Sequence, residues 1–180
     1  MLLYRASFKR SIVPKINKFM SNIEVAMKNI FNIYDDLSYL IKRDHVNRAT
    51  HNINLVDFIR SRVEFFDQSA KKVKKSFEFS SNREEIIVNF NEIKLHRLVD
   101  NNITNTIKYT FVGEKIFINL KVINGVCHLI FKSNSTQILD KEKIFEEYYR
   151  EENSKDGFGL GLNLVKRICS EAHIEILLES

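Results

Sequence analysis

The segment Leu95–Thr110, LHRLVDNNITNTIKYT, has apolar residues spaced as on one face of an α-helix. Asn101, Asn105 and Lys108 lie one turn apart on a second stripe, because residues three and four apart are neighbours on a helix. An Asn oxygen is a neutral ligand that Mg²⁺ accepts, and a Lys ammonium binds phosphate oxygens. The segment therefore predicts a helix that faces a polyphosphate and its metal, although an ordinary solvated face explains the same stripe equally well.

A glycine-rich segment lies further along the chain. Lys155–Ser170 reads KDGFGLGLNLVKRICS and contains Gly157, Gly159 and Gly161, after which apolar residues recur at helical spacing. Glycines let a backbone approach a ligand closely, and the start of a helix offers N–H groups and a positive dipole end to phosphates. Alone this is a weak sign of phosphate binding, and together with the Asn/Lys helix it is a strong one.

Three segments in this order and spacing resemble the sequence boxes of the ATP-binding domain of sensor histidine kinases. Asn101–Tyr109, with Asn105 and Lys108, is similar to the N box, Ile144–Arg150 to the F box, and Gly157–Leu162 to the G2 box at the end of the ATP lid. The same superfamily contains Hsp90, gyrase B and MutL. The resemblance covers roughly residues 53–180 and implies ATP and Mg²⁺ as cofactors.

The resemblance implies a set of ATP-binding residues. Lys108 is expected to neutralise phosphate charge and Tyr109 to line the nucleotide. Asn105 is the implied Mg²⁺ ligand. The complete set is Asn101, Asn105, Lys108, Tyr109, Asn134, Tyr149, Arg150, Gly157, Gly159, Leu160, Gly161 and Leu162.

No catalytic nucleophile is expected in this domain, because phosphoryl transfer asks a protein mainly for positioning and charge neutralisation. In the family the phosphate acceptor is a His on a helical hairpin, followed by an acidic residue and then a Pro. None of the five histidines has that context: His45, His51, His96, His128 and His173. The resemblance therefore implies transfer to a His outside this chain, and then to an Asp of a response-regulator receiver domain.

The sequence departs from the family at its G1 box. The family places an Asp there, and the Asp carboxylate accepts a hydrogen bond from the adenine amino group. The corresponding stretch here, Lys132–Ile138, reads KSNSTQI and contains neither Asp nor Gly. Asn134 or Ser133 can replace the acceptor without its charge. Neutral hydrogen bonds are worth about 1 kcal/mol and charged ones about 1.5–3, so we expect roughly tenfold weaker adenine binding.

The apolar residues between Met20 and Ile41 follow alternating gaps of three and four, as along a coiled-coil seam. Such a seam needs a partner helix, unless the helix packs into the core of its own domain. In the family the segment resembles the second helix of the dimerisation and phosphotransfer hairpin, with Met1–Val13 as the remainder of the first helix. Residues 1–44 are therefore expected to form a homodimer as part of a four-helix bundle.

The remaining pattern predicts the order of the other elements. Residues 45–52 are predicted to be a linker, within a polar stretch that begins at residue 42. Ile53–Val73 is predicted to form a short strand and an amphipathic helix. Strands are expected at 77–79, 86–90, 116–122 and 126–131, with a hairpin at Asn124–Gly125 and a last strand at Ile174–Leu178. With the helices that the two motif segments predict, the fold class is α+β. It is a two-layer α/β sandwich with a mixed sheet and three helices on one face, preceded by a long helix.

Composition limits the classes of protein that remain. The chain has 180 residues and a formal charge of +5, which suits anionic ligands but is too diffuse to indicate nucleic acid. The basic cluster Lys71–Lys75 reads as a solvated helix end. Two cysteines give no disulfide framework, so a reducing cytoplasm is expected. No apolar run reaches the length of a membrane span, and any membrane segment is expected upstream of this chain.

Three functions fit these observations. The first is the catalytic part of a sensor histidine kinase. The second is a non-catalytic dimerisation and docking module, which the missing G1 Asp favours. The third, a conformational ATPase like Hsp90 or MutL, needs a general-base Glu where Asn101 stands, so it is the least supported.

Overall fold

A computed structural model describes residues 49–149 and 159–179, together with a few helical positions nearer the start of the chain. Those positions are Lys15, Ile16, Phe19, Met20, Ile23 and Ile30. The chain divides into two compact units, Met1–Val46 and Asn47–Ser180. Most of the predicted coiled-coil seam lies outside the described residues, as do Met1–Val13, Arg150 and Gly157.

The second unit contains five strands and three α-helices within its described residues. In chain order they are β1 His51–Asn54, α1 Leu55–Lys72, β2 Ser76–Ser81, β3 Ile87–Phe90, α2 Glu92–Tyr109, β4 Lys115–Ile123, β5 Val126–Ser133 and α3 Gly161–Glu171, with a 3₁₀ turn at Lys143–Phe145 between β5 and α3. The Asn/Lys helix, α2, begins before the quoted segment because Asn91 caps it. The Asn91 side chain accepts a hydrogen bond from the amide of Lys94 at 3.0 Å.

The strands form two hydrogen-bonded sheets. Strand β1 pairs antiparallel with β3, and the other sheet has the order β2-β4-β5, in which β2 and β4 are parallel and β4 and β5 antiparallel. The second sheet is therefore mixed. Asn124 and Gly125 close the β4–β5 hairpin with φ of +52° and +81°, as the sequence predicts. The α+β class with three helices is confirmed, but hydrogen bonding divides the predicted single sheet into two.

The core lies between the β2-β4-β5 sheet and the helices α1 and α2. Alternate residues of β4, Ile116, Ile118 and Leu120, are fully buried, as the predicted alternation requires. Residues on one face of α1 and of α2 pack against them. The buried members of this core are Leu55, Val56, Ile59, Ile86, Leu95, Val99, Ile103, Ile116, Ile118 and Leu120.

Two predicted boundaries are wrong because backbone pairing does not require apolar side chains. His51 and Asn52, predicted as linker, pair with Phe90 and Asn89. Ser80 and Ser81, which lie beyond the predicted end of the strand at residue 79, extend β2 along β4. Their hydroxyls form side-chain hydrogen bonds instead of ending the strand, and that of Ser80 donates to Oδ1 of Asn119 at 2.6 Å.

The predicted last strand is also wrong. Ile174–Leu178 follows α3 without forming a ladder with any described strand. Leu177 is 75% exposed. Alternation of apolar residues is a local signal, whereas a strand also needs a partner edge, which local spacing cannot supply.

Candidate nucleotide-binding site

Helix α2 presents its polar stripe on the side away from the core. Val99 and Ile103 are fully buried in the core, whereas Asn101, Asn105 and Lys108 are half-buried. This intermediate exposure differs from that of a fully solvated face.

An ion pair fixes α2 against α1. The guanidinium of Arg62 donates two hydrogen bonds of 2.8 Å to the carboxylate of Asp100, and both side chains are partly buried. Paired hydrogen bonds of this kind constrain orientation as well as distance. The pair therefore sets the rotation of α2 at the position next to Asn101.

Asn101 meets the glycine-rich segment. Its Nδ2 donates to the carbonyl of Arg97 at 2.9 Å, which leaves Oδ1 directed at the first residue of α3, Gly161. A Cβ at Gly161 would lie 2.5 Å from that Oδ1, closer than real Cβ contacts allow. The N-box helix and the glycine run therefore come together only because Gly161 has no side chain.

Gly159 makes a similar close contact with the segment that resembles the F box. Its φ is +73°, and a Cβ there would lie 2.8 Å from the backbone of both Tyr148 and Tyr149. The amide of Tyr148, itself at φ +63°, donates to the carbonyl of Gly159 at 3.2 Å. The F-box and G2-box segments are thus held backbone to backbone, a contact that requires glycine at 159.

The N-terminus of α3 is arranged as a helix end that can receive an anion. Helix α3 begins at Gly161 after Leu160, and in the described part of the chain no side chain caps its first turn. Asn163 anchors the helix instead, because its Nδ2 donates to the carbonyl of Phe145 at 2.9 Å. Unused N–H groups and the helix dipole favour a negative group at this end.

The other end of the site lies where α2 meets β5. The Nζ of Lys108 lies 4.8 Å from the centre of the Tyr109 ring. The amide of Phe111 donates to the carbonyl of Asn134 at 2.9 Å, and Thr110 forms a bridge with Ser135. Asn134 is thereby held beside the end of the helix that carries Tyr109, with its side chain exposed.

Lys75 was not among the predicted site residues, and it departs from the predicted basic cluster. Lys71, Lys72 and Lys74 are exposed as expected, whereas Lys75 is buried and its Nζ donates to the carbonyl of Ile107 at 2.5 Å. That carbonyl belongs to the last turn of α2, where backbone acceptors lack helical partners. A run of lysines in the sequence gives no sign that one of them caps a distant helix.

The predicted site residues therefore fall into three groups. Asn101 lies against Gly161, and Gly159 lies against Tyr149. Tyr109 is followed by Thr110 and Phe111, which bond the Asn134–Ser135 backbone, and Asn105 and Lys108 are half-buried on α2. Leu160 is buried, Leu162 half-buried, and Arg150 and Gly157 lie outside the described residues. Sequence reasoning missed Arg62, Asp100 and Asn163, whose partners are distant in the sequence.

The fold and these contacts define an α+β domain in which an Asn/Lys helix meets a glycine-opened helix N-terminus. The family described as histidine kinase-, DNA gyrase B-, and HSP90-like ATPase matches residues 90–180. The chain belongs to this family, and the resemblance drawn from its three sequence boxes is confirmed.

The chain is also similar to a curated sensor histidine kinase. Sensor histidine kinase HprS of Escherichia coli strain K12 is 27% identical over 165 residues, which cover 89% of this chain and 36% of that protein. The chain thus spans about a third of that relative's length.

Two solved structures share the fold. Full-length ShkA in complex with AMPPNP gives a TM-score of 0.68 at 14% identity, covering 86% of this chain and 33% of that one. Histidine kinase ThkA in complex with response regulator protein TrrA gives 0.66 at 17% identity, covering 96% and 55%. At these identities the likeness concerns the fold alone. Within the described ranges, no helix is long and apolar enough to cross a membrane.

Proposed function

We propose that this chain is the cytoplasmic catalytic part of a two-component sensor histidine kinase. It binds Mg-ATP and directs the γ-phosphate to a His outside the chain, from which the phosphate passes to an Asp of a response regulator. The observation that carries the proposal is the contact of Asn101 with Gly161. Two motifs from distant parts of the sequence meet there at the start of a helix that no described side chain caps.

The residues present fit a nucleotide. The backbone at Gly159 and Gly161 lies so close to Tyr149 and Asn101 that a Cβ at either glycine would clash, and this packing holds the start of α3 beside the Asn/Lys helix. In the proposed site the α3 N-terminus binds phosphate oxygens, Lys108 neutralises phosphate charge and Asn105 holds Mg²⁺. Bound Mg-ATP supplies the transferable phosphoryl group. The chain contributes position and charge, which is most of what phosphoryl transfer requires.

The proposed partners are a second copy of this chain and a receiver domain. Ile16, Phe19, Met20 and Ile30 are helical and between 52% and 67% exposed, which supports a partner helix for the N-terminal unit. The receiver domain is supported by the ThkA complex with the response regulator TrrA. No nucleic acid is proposed as a partner, and membrane attachment would come through segments upstream of this chain.

Nucleotide binding can be tested with a matched pair of asparagines on α2. Asn101 and Asn102 each donate from Nδ2 to the carbonyl four residues earlier, at 2.9 and 2.8 Å. Only Asn101 faces Gly161. Asn101→Ala is expected to weaken Mg-ADP binding about tenfold or more, as loss of a 1.5–3 kcal/mol contact would, and Asn102→Ala is expected to leave it within about twofold. Isothermal titration calorimetry measures both.

The second candidate is the docking module, which the absence of a carboxylate in Lys132–Ile138 favours. A ligand at 100 times its dissociation constant stabilises a protein by about 2.7 kcal/mol, which shifts the thermal midpoint visibly. If millimolar Mg-ADP leaves the thermal midpoint of the unaltered chain unchanged, the docking module becomes the proposed function in place of the kinase.

A further inference from the structure

The basic turn at the end of α1 lies against a second turn, which follows α2. The amide of Gly113 donates to the carbonyl of Lys74 at 2.8 Å, and the second turn is closed by a hydrogen bond from Glu114 N to Phe111 O at 3.2 Å. Each turn contains a residue of positive φ, Lys74 at +57° and Gly113 at +89°. Residues 71–75 and 111–115 therefore form one surface, here called the two-turn surface.

The two-turn surface concentrates positive charge. Its ten residues read KKVKK and FVGEK, with five lysines and a single acidic residue. Lys75 is buried and the other four lysines are exposed. Lys71 pairs with Asp67 and Lys115 with Glu78, with the two lysine side chains 66% and 61% exposed. Such exposed pairs contribute little in water, so these ammonium groups remain available to another anionic partner.

Three apolar side chains are exposed among these lysines. Val73, Phe111 and Val112 are 44%, 45% and 67% exposed. Val73 and Val112 directly precede the hydrogen-bonded residues Lys74 and Gly113, so segments distant in the sequence bring them near each other. Clustered apolar side chains with a polar rim are typical of a binding surface, whereas a merely solvated helix end needs none of them.

The chemistry of this surface fits an anionic lipid bilayer. An acidic protein or a nucleic acid would satisfy the lysines but has no general use for apolar side chains that project between them. A bilayer accepts both groups, because headgroup phosphates attract ammonium groups and the boundary with the acyl chains takes up apolar side chains of any shape. We infer that the two-turn surface binds an anionic membrane surface, with Phe111 and Val112 inserted and the exposed lysines on the headgroups. This inference goes beyond the proposed function and does not depend on the nucleotide site.

The first test measures co-sedimentation of the whole chain, without nucleotide, with vesicles of phosphatidylglycerol and phosphatidylcholine. Binding is expected, and it should weaken between about 0.1 M and about 1 M salt, where the Debye length falls from about 10 Å to about 3 Å. Vesicles of phosphatidylcholine alone should bind at least tenfold less. Equal binding to both kinds of vesicle, or binding to neither, would overturn the inference.

The second test assigns the binding to the lysines of this surface. The N-terminal unit also exposes apolar side chains, such as Phe19 and Met20, which offer lipid a second point of contact. Lys72→Gln combined with Lys74→Gln is expected to weaken binding about fivefold for each lysine removed. Lys121→Gln is the control, because Lys121 is exposed near the other end of β4 and should change binding less than about twofold. A double variant that binds like the control would place the contact elsewhere and overturn the inference.

The third test separates insertion from attraction by charge. Val112→Ser is expected to weaken binding about fivefold, since partial insertion forfeits part of the transfer free energy of a valine. Val126→Ser is the matched control, because Val126 is 58% exposed beside the β4–β5 hairpin, at the far end of the sheet. Circular dichroism confirms that each variant is folded. If Val112→Ser binds normally while the lysine variant does not, the surface recognises charge alone, as for a nucleic acid or an acidic protein, and the inference is wrong.

Discussion

The two ends of the proposed site are built in different ways. At the phosphate end, Gly159 and Gly161 bring backbone against Tyr148 and Asn101 at distances that exclude any side chain. At the base end, Asn134 is exposed beside the end of α2, and the buried Thr110 hydroxyl has no hydrogen-bond partner among the described residues. Backbone N–H groups recognise phosphate whatever the neighbouring side chains are, whereas a base is recognised by particular side chains. The base end can therefore depart from the family while the phosphate end is kept.

The largest expected effect comes from crowding the phosphate end. Gly161→Ala places a methyl group against Oδ1 of Asn101 in a helical position that does not itself need glycine. We expect Mg-ADP binding to fall by well over tenfold, with destabilisation of about 1–3 kcal/mol from overpacking. Calorimetry and urea unfolding measure these changes.

The double variant Asn101→Ala with Gly161→Ala separates crowding from chemistry. Removing the Asn side chain makes room for the methyl group, so stability should recover while nucleotide affinity stays low. Affinity that recovers together with stability would mean that Asn101 has no direct role in binding.

The next largest effect is expected on the stability of the domain, from loss of the ion pair between α1 and α2. Arg62→Ala leaves the Asp100 carboxylate without its two guanidinium hydrogen bonds in a partly buried position. We expect a loss of about 1.5–3 kcal/mol in the free energy of unfolding, measured with urea. Mg-ADP affinity should also fall, since the pair sets the rotation of α2 next to Asn101. Arg60→Ala is the matched control, because the Arg60–Asp57 pair is exposed and should contribute less than about 1 kcal/mol.

A smaller effect is expected at the metal. Asn105→Ala removes the proposed Mg²⁺ ligand while Lys108 and the α3 N-terminus still hold the phosphates. We expect ADP binding in excess EDTA to be unchanged and binding in excess Mg²⁺ to weaken about fivefold, the value of one neutral contact. Equal weakening with and without Mg²⁺ would show that Asn105 acts on the nucleotide or the fold and not on the metal.

The smallest effect concerns the turn that precedes the glycine run. Hydrogen bonds from the backbone and side chain of Lys143 hold the pKa of Asp140 below its ordinary value. A lowered folded-state pKa means that the stabilisation is present above the unfolded pKa of about 3.9 and is lost as pH falls through the folded value. The amide signals of Glu142 and Lys143 should therefore shift only below about pH 4 in an NMR titration. In Asp140→Asn that transition should be missing.

Local spacing was enough to predict much of the fold. The burial of Ile116, Ile118 and Leu120 and the Asn124–Gly125 turn follow from patterns within a few residues. The strand predicted at Ile174–Leu178 had the same kind of pattern and failed, because no described strand edge pairs with it. The alternation of apolar residues alone does not show whether a neighbouring strand is available for pairing.

Taken by itself, the sequence determined the family, the helix with its Asn/Lys stripe and the loss of the G1 carboxylate, because each depends on residue types at fixed local spacing. Only the tertiary structure decided that Gly161 lies against Asn101, that Lys75 caps α2 and that the buried Thr110 hydroxyl has no partner among the described residues. These contacts join segments that are distant in the sequence. They arise when helices and sheet pack around one core, and no local pattern specifies which surfaces will meet.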